Sequence, residues 1–600
     1  MLQDIVFADK SDLSSALFAD ERKQELDTKT DKKIFDLMKN ISSIALKITD
    51  TDVEFFPLIV MNGKRSFSVE DLEENDYILL YSLNLDYVPL KLKVRISDIL
   101  WTQKKDYEYA QIAAEAYFDL FNLMFSDDDW VKALDMIKRA ICIAAQINQK
   151  DLYNSCCKTL YDIIIKIDGK DKKFLSISFI ETILAQSYSN IKTIIDISKI
   201  IDILDKIILC NKNNPYKIEQ AYLLKSRCFN KQKNTVSAAQ ANIDMAEYFV
   251  NFAESLLKDG KQEVLRAEMF FQKAVILYRN NGESSKAEKT HLRLVEIQRD
   301  KLKLMHTHTS SFDVSKIIKN IDQNMEGLSF EECIIRLTQM VFFYKKYDIK
   351  QQVLKDLKSF PLINILPKHL INSSGQTIFK LPPLNISNPE EDESILELHI
   401  HNKMFEYQNI SGNIYLYFSL LYIKENFDID SQNLEFLVSD NFIIPEGREN
   451  IFLSAIRMAL KGDCYESLHI LAPQTENIFR NIAKEVGGLT VTLETDGTSK
   501  EKVLSSIFDL PELVDCYDND ILFLFKGLLN EQAGANIRNN IAHGIITPEA
   551  ANSGASLYFI CAVIKLLVFS SRRCSEIFSN NHRLQKFINP ESDIVEPNDE

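Results

Sequence analysis

The chain has 600 residues, 46% of them hydrophobic, with 36 Phe and 22 Tyr; that side-chain area suits large cores and excludes general disorder. Its formal net charge of −16 excludes a chain-wide basic surface that holds nucleic acid by charge alone, though not a local site. Strand-rich folds need many glycine turns, so only 16 Gly and 14 Pro predict long helices joined by short loops.

Residues 1–50 read as polar helices, and Met1–Lys10 lack the basic stretch and apolar run of a signal peptide. From Asp52 to about Tyr87 the pattern changes. Phe55-Phe56-Pro57-Leu58-Ile59-Val60 leads into the turn dipeptide Asn62-Gly63 and then Ser66–Val69, a small non-helical piece. Helix resumes over Leu92–Trp101. These segments make a first region, 1–105.

A succession of amphipathic helices follows, from Tyr107 to about Leu357. Ala110, Ala113, Ala114, Ala116 and Tyr117 mark one; Trp130, Ala133, Leu134, Ile137, Ala140, Ile141 and Ala144 mark another at 3–4 spacing. Ala267–Tyr278 and Ala287–Leu294, separated by Asn281-Gly282, resemble tetratricopeptide-type hairpins, with small residues where helices cross. No strict repeat period runs through the region, so residues 106–370 are expected to form an irregular, TPR-like α-solenoid. An ordinary helical array without a peptide groove fits the same pattern. Asn372–Gly375, Pro382-Pro383 and the acidic run Glu390–Glu393 mark a connector, which with linking helices near His401–Phe427 makes up 371–444.

The last region, 445–600, parses into four helices: Arg448 to Leu460, Tyr465 to about Val486 with Pro473 kinking it or starting a new turn, Asp518–Asn530, and a long final helix from Thr547-Pro548 through Arg573. A short helix between the last two carries Ile537-Arg538-Asn539-Asn540-Ile541-Ala542-His543, with Asn536 as its cap and Gly544 as its stop. Asn539 and His543 are four apart and share a helical face, and Arg538 can swing to the same point. Between Glu531 and Lys586 the charge balance reverses: Arg538, Lys565, Arg572, Arg573, Arg583 and Lys586 face only Glu531, Glu549 and Glu576.

This set suits attack of a ribose 2′-hydroxyl on the neighbouring phosphodiester. A histidine, titrating near pH 6.5 when unperturbed, can take or give the proton. An arginine can stabilise charge on the phosphoryl oxygens, and Asn539 can orient the histidine or a phosphate. One histidine does not easily serve as base and acid together, so the chemistry predicts two copies facing each other in a homodimer.

Arg538-Asn539-x-x-x-His543 resembles the Arg-x4–6-His signature of the HEPN superfamily. The longer string Gly534–Gly544, with the upstream Pro473-Gln474-x-Glu476-Asn477-x-x-Arg480, is similar to a domain of unknown function defined by RNxxxHG. The resemblance covers roughly the last quarter of the chain. Leu92–Trp101 and the paired helices after it are similar to the region that often precedes that domain. Composition and periodicity predict an all-α protein with a helical-repeat array ahead of this region, and the resemblance implies that the region is a HEPN four-helix bundle that dimerises through its motif helices. It also implies metal-independent endoribonuclease activity in toxins or antiviral defence. Arg538, His543 and Asn539 would be catalytic, with Glu476, Arg480, Asn536 and Gly544 supporting. Glu476 and Arg480 can instead form a plain i,i+4 ion pair, and inactive relatives leave open a helical scaffold that only dimerises or binds RNA.

Neither a nucleotide-phosphate loop nor a Gly-x-Ser-x-Gly elbow is present. The ten cysteines form no paired CxxC motifs, and His306 and His308 have no acidic partner at ligand spacing, so no metal or cofactor is expected. His399 and His401 alternate as on a strand. No stretch is long enough to span a bilayer. The expectation is a cytoplasmic protein with an RNA substrate, whose helical array restrains the bundle until a protein or ligand trigger acts.

Overall fold

Low glycine and proline content is realised as a mainly helical chain in the computed structural model, which describes residues 29–48, 53–61, 64–126, 129–171, 173–303, 313–361, 366–372, 375–386 and 388–586. Residues 1–28, the Asn62-Gly63 turn, and His306 and His308 lie outside the described residues. Two compact units divide between Leu304 and Met305. That division falls at neither 370/371 nor 444/445, the boundaries expected from composition.

The first unit begins with α1 (Lys29–Ser43), but the helix expected to reach residue 50 stops at Ser43. Ile44–Ile48 instead form β1, paired antiparallel with β2 (Val53–Pro57). β-branched Ile44 and Ile48 favour a pleated surface, and Leu46 and Ala45 gain Phe55 and Phe56 as cross-strand partners. Next come β3 (Val60–Met61), β4 (Lys64–Arg65), α2 (Glu74–Tyr81) and α3 (Leu90–Lys104). The array that follows is α4 (Tyr107–Met124), α5 (Val131–Gln146), α6 (Lys150–Ile167), α7 (Leu175–Ala185), α8 (Tyr188–Ile191), α9 (Ile197–Cys210), α10 (Pro215–Lys231), α11 (Thr235–Asp259), α12 (Val264–Asn280) and α13 (Ser284–Leu302). Side chains of Asp106, Asn214 and Asn234 accept backbone N–H bonds that α4, α10 and α11 cannot satisfy internally. Successive helices pack mainly on their chain neighbours. The alanine faces predicted for α4 and α5 are buried.

Among those faces lies a charged network. Asp98 of α3 accepts Arg139 Nη2 at 2.7 Å and Nε at 3.1 Å, and the Tyr117 hydroxyl at 2.8 Å. All three side chains are buried. Such a pair is tolerable there only because its hydrogen bonds are made.

The second unit has one large core. Its elements are α14 (Ser315–Met325), α15 (Phe330–Gln339), α16 (Lys346–Ser359), the hairpin β5 (Lys368–Ile371) and β6 (Thr377–Leu381), then α17 (Glu393–Ser411). One π-helical turn, Gly412–Leu416, carries α17 into α18 (Tyr417–Asn426). After α19 (Glu435–Val438) come α20 (Glu449–Lys461), α21 (Cys464–Glu485), the hairpin β7 (Val491–Leu493) and β8 (Ser499–Glu501), α22 (Leu504–Phe508) and α23 (Pro511–Cys516). α24 (Asn519–Leu529), α25 (Ile537–Ala542), α26 (Pro548–Ala551), α27 (Gly554–Ser570), α28 (Arg572–Asn580) and α29 (His582–Gln585) complete it.

α27 is buried all round apart from Lys565 and Phe569, so it needs neighbours on every side. α15, α17, α20, α21 and α28 supply them; residues 313–444 therefore belong to the same core as the motif-bearing helices. The single final helix expected from Thr547 to Arg573 is three. Ser553 caps α27 and Ser571 caps α28, each side-chain oxygen accepting a backbone N–H. Pro473, by contrast, sits inside α21 without ending it.

His399 and His401 lie on helix α17, not a strand, and both are buried. His399 Nε2 meets the Pro382 carbonyl at 2.7 Å. The His401 ring stacks on Phe523 at 3.8 Å between centroids. Among the described residues, no helix is long and apolar enough to cross a membrane.

Candidate functional site

The site is built where α25 crosses α21 and α24. Asp518 caps α24, which ends at Leu529. The chain then folds back on the helix it has just left: the Gly527 carbonyl accepts the backbone N–H of Ala535 at 3.0 Å and of Asn536 at 3.4 Å. Gly534 lies so close to that carbonyl that a Cβ would come within 2.3 Å of the oxygen. Asn536 follows in the left-handed region, φ 51°, where asparagine is among the most tolerant residues. It stands at the cap position of α25 but its side chain does not cap; Oδ1 accepts Asn539 Nδ2 at 2.7 Å instead.

α25 buries Ile537 and turns Arg538 towards α21. Arg538 Nε donates to Glu476 Oε2 at 2.9 Å, and Arg480 Nη2 donates to Glu476 Oε1 at 2.7 Å. One carboxylate thus holds two guanidiniums, and Glu476–Arg480 is both an i,i+4 pair and part of the motif's support. Arg538 Nη1 donates to Asn539 Oδ1 at 3.2 Å. Asn539 Nδ2 also donates to the Asn530 carbonyl at 3.3 Å, so this amide ties the loop together. Among the described residues Arg538 Nη2 has no hydrogen-bond partner.

His543 is the C-cap of α25, its backbone N–H bonded to the Asn539 carbonyl at 3.0 Å. Gly544 follows at φ 65° and ends the helix. The His543 ring is exposed, with no hydrogen-bond or ion-pair partner among the described residues. The structure therefore joins Arg538, Asn539, Asn536, Glu476 and Arg480 in one network and leaves His543 open to solvent at its edge.

Glu501 on β8 completes the network from outside. Its Oε2 accepts Arg480 Nη1 at 2.9 Å, and its Oε1 lies 3.9 Å from Lys484 Nζ. Sequence reasoning missed both residues. The Asp496-Gly497 dipeptide is a hairpin signal that would have placed Glu501 on a strand, though not beside α21.

The basic excess after Glu531 does not converge on this site. Lys565 Nζ donates to the Val341 carbonyl at 2.5 Å, and burial pulls its pKa down to about 8. Arg583 donates to the Glu326 carbonyl at 2.6 Å, while Arg572 and Arg573 flank Glu576. No cluster of three or more His, Cys, Asp or Glu residues able to hold a metal occurs among the described residues.

A family model described as a domain of unknown function, DUF7380, matches residues 1–154. That stretch contains the Asp98–Arg139–Tyr117 network and lies entirely outside the site. No curated protein and no solved structure matches the chain.

Proposed function

We propose that the chain is a metal-independent endoribonuclease of HEPN type, with the Arg538–His543 helix as its active centre. The observation that carries this reading is the poise of Arg538. Glu476 fixes its Nε while Nη2 stays open, on the same short helix whose exposed cap is His543. A fixed guanidinium beside a solvent-facing imidazole suits a phosphodiester whose 2′-hydroxyl is to be deprotonated.

In this mechanism His543 takes the proton from the 2′-hydroxyl. The oxygen attacks phosphorus, Arg538 offsets charge on the non-bridging oxygens, and the 5′-oxygen of the next nucleotide leaves with a proton. Products are a 2′,3′-cyclic phosphate and a free 5′-hydroxyl. His543 of a second copy supplies the leaving proton, so the working unit is a homodimer formed through the motif face of a HEPN-like bundle. The helices of 107–302 act as a TPR-like regulatory array that restrains the enzyme until its trigger binds, and the protein works in the cytoplasm.

A second reading draws on the lack of an orienting partner for the His543 ring: a helical scaffold that dimerises or binds RNA without cutting it. Expressing the full-length chain and His543→Ala side by side, with total RNA as the readout, separates the two. RNA fragmentation by wild type alone supports the enzyme; equal fragmentation by both chains removes His543 from the chemistry.

A further inference from the structure

We infer that Arg480 and Lys484 form a second phosphate subsite beside the Arg538 centre, and that the Glu501 carboxylate occupies it in the free protein. The inference rests on the RNA-binding part of the function proposed above.

Arg480 and Lys484 are one turn apart on α21, so their side chains leave the same face of the helix. Both point to one carboxylate on the neighbouring hairpin, Arg480 Nη1 at 2.9 Å and Lys484 Nζ at 3.9 Å. Two cations converging on one anion from a single helix face make an anion site, here filled by the protein itself. The two carboxylates in the row differ sharply. Glu476 is 15% exposed and binds two guanidiniums, whereas Glu501 is 54% exposed and sits on a strand whose burial pattern is exposed throughout. An exposed ion pair is weak and solvent-screened. Glu501 is therefore the carboxylate that an incoming phosphate can displace, while Glu476 stays to hold Arg538 and Arg480.

Its position also fits a strand of RNA. Arg538 and Arg480 share the two oxygens of Glu476, which sets the two guanidiniums side by side on one carboxylate, so that one strand can meet both. When Glu501 leaves, Arg480 Nη1 and Lys484 Nζ face the vacated position together, and the local charge rises by one. The subsite thus selects a polyanion that spans both centres over a single free phosphate.

The test uses full-length protein carrying His543→Ala, which prevents cleavage, and a short fluorescein-labelled single-stranded RNA of mixed sequence. Anisotropy titrations over a range of salt compare this parent with the same chain carrying Glu501→Gln or Lys484→Glu. Glu501→Gln, which removes the competing carboxylate without adding a phosphate contact, is expected to bind roughly fivefold more tightly with a similar log–log salt slope. Lys484→Glu, a change at an exposed position that leaves Glu501 in place, is expected to bind more weakly. Unchanged or weaker binding by Glu501→Gln overturns the subsite, as does unchanged binding by Lys484→Glu. Either failure leaves the dependence of cleavage on His543 untouched; conversely, a chain that binds as predicted but never cuts RNA keeps the subsite and loses the enzyme.

Discussion

Glu476 and Arg538 stand 62 residues apart in the chain, yet Glu476 Oε2 lies 2.9 Å from Arg538 Nε. That contact links α21 to the motif helix α25 and sets the direction in which the guanidinium points. With Oε1 committed to Arg480, Glu476 is the residue on which the site's geometry depends.

Replacing it should therefore hurt function more than fold. Glu476→Gln keeps the shape but takes from Arg538 its charged partner and from Arg480 one of two carboxylates, at a cost of about 1–3 kcal/mol in stability. RNA cleavage is expected to fall roughly a hundredfold, the order seen when a single transition-state donor is lost. Thermal unfolding and single-turnover cleavage measured together check this. A large stability loss with normal cleavage would place Glu476 in the scaffold alone.

Gly534→Ala tests the entry to α25. The new methyl meets the Gly527 carbonyl oxygen at 2.3 Å, so the loop must shift, at about 1–3 kcal/mol. Because Ala535 and Asn536 hang from the same carbonyl, the shift carries Arg538 away from Glu476. Cleavage should be lost while far-UV circular dichroism stays near wild type. Full activity would show that the close approach is not needed.

In the first unit, Asp98→Asn leaves the buried Arg139 charge uncompensated and should cost about 3–5 kcal/mol. Tyr117→Phe removes one hydrogen bond to the same carboxylate and should cost about 1 kcal/mol. Chemical denaturation of the two variants checks the order. Equal small losses would mean that the ion pair is not desolvated.

Acid should weaken the second unit through His401. Burial, with the Lys526 and Lys346 charges nearby, lowers its pKa to about 3, against about 6.5 in an unfolded chain. Glu397, the acidic neighbour, is 4.0 Å from Nε2. With the folded pKa below the unfolded one, the stabilisation is complete above about pH 6.5 and declines as pH falls towards 3. The slope approaches 1.4 kcal/mol per pH unit. His401→Phe, which keeps the stack on Phe523, should lose about 2 kcal/mol less than wild type between pH 7 and 5. Urea unfolding at the two pH values measures the difference; parallel losses would contradict it.

Much of the helical order was legible because amphipathic spacing and caps are local. The alanine faces of α4 and α5, the stop of α20 at Gly462 and the short helix around Arg538 could all be read directly. What was not legible depends on tertiary partners. Ile44–Ile48 became a strand because Phe55 and Phe56 offered cross-strand contacts. His399 and His401 alternate in sequence but share a helix whose two sides are both covered. Ser553 looked like an interior residue until it capped α27. The acidic run before α17 suggested a connector; periodicity does not reveal that Leu396, Ile400 and Met404 of α17 join the same core as α27. Of the candidate site, Arg538, Asn539 and His543 stand out in the sequence by spacing and by the resemblance, whereas Glu501 and Lys484 become visible only when the hairpin is seen beside α21.

The most direct test of the central claim is cleavage of purified RNA by the full-length chain and by residues 305–600, each beside its His543→Ala variant, in excess EDTA. The fragment starts at 305 because residues 313–444 contribute to the core around α27. The account predicts cutting by at least one wild-type form, new ends carrying 2′,3′-cyclic phosphate, and a loss of about a thousandfold with His543→Ala. Intact RNA with both wild-type forms, or equal cutting by the His543→Ala proteins, would contradict it.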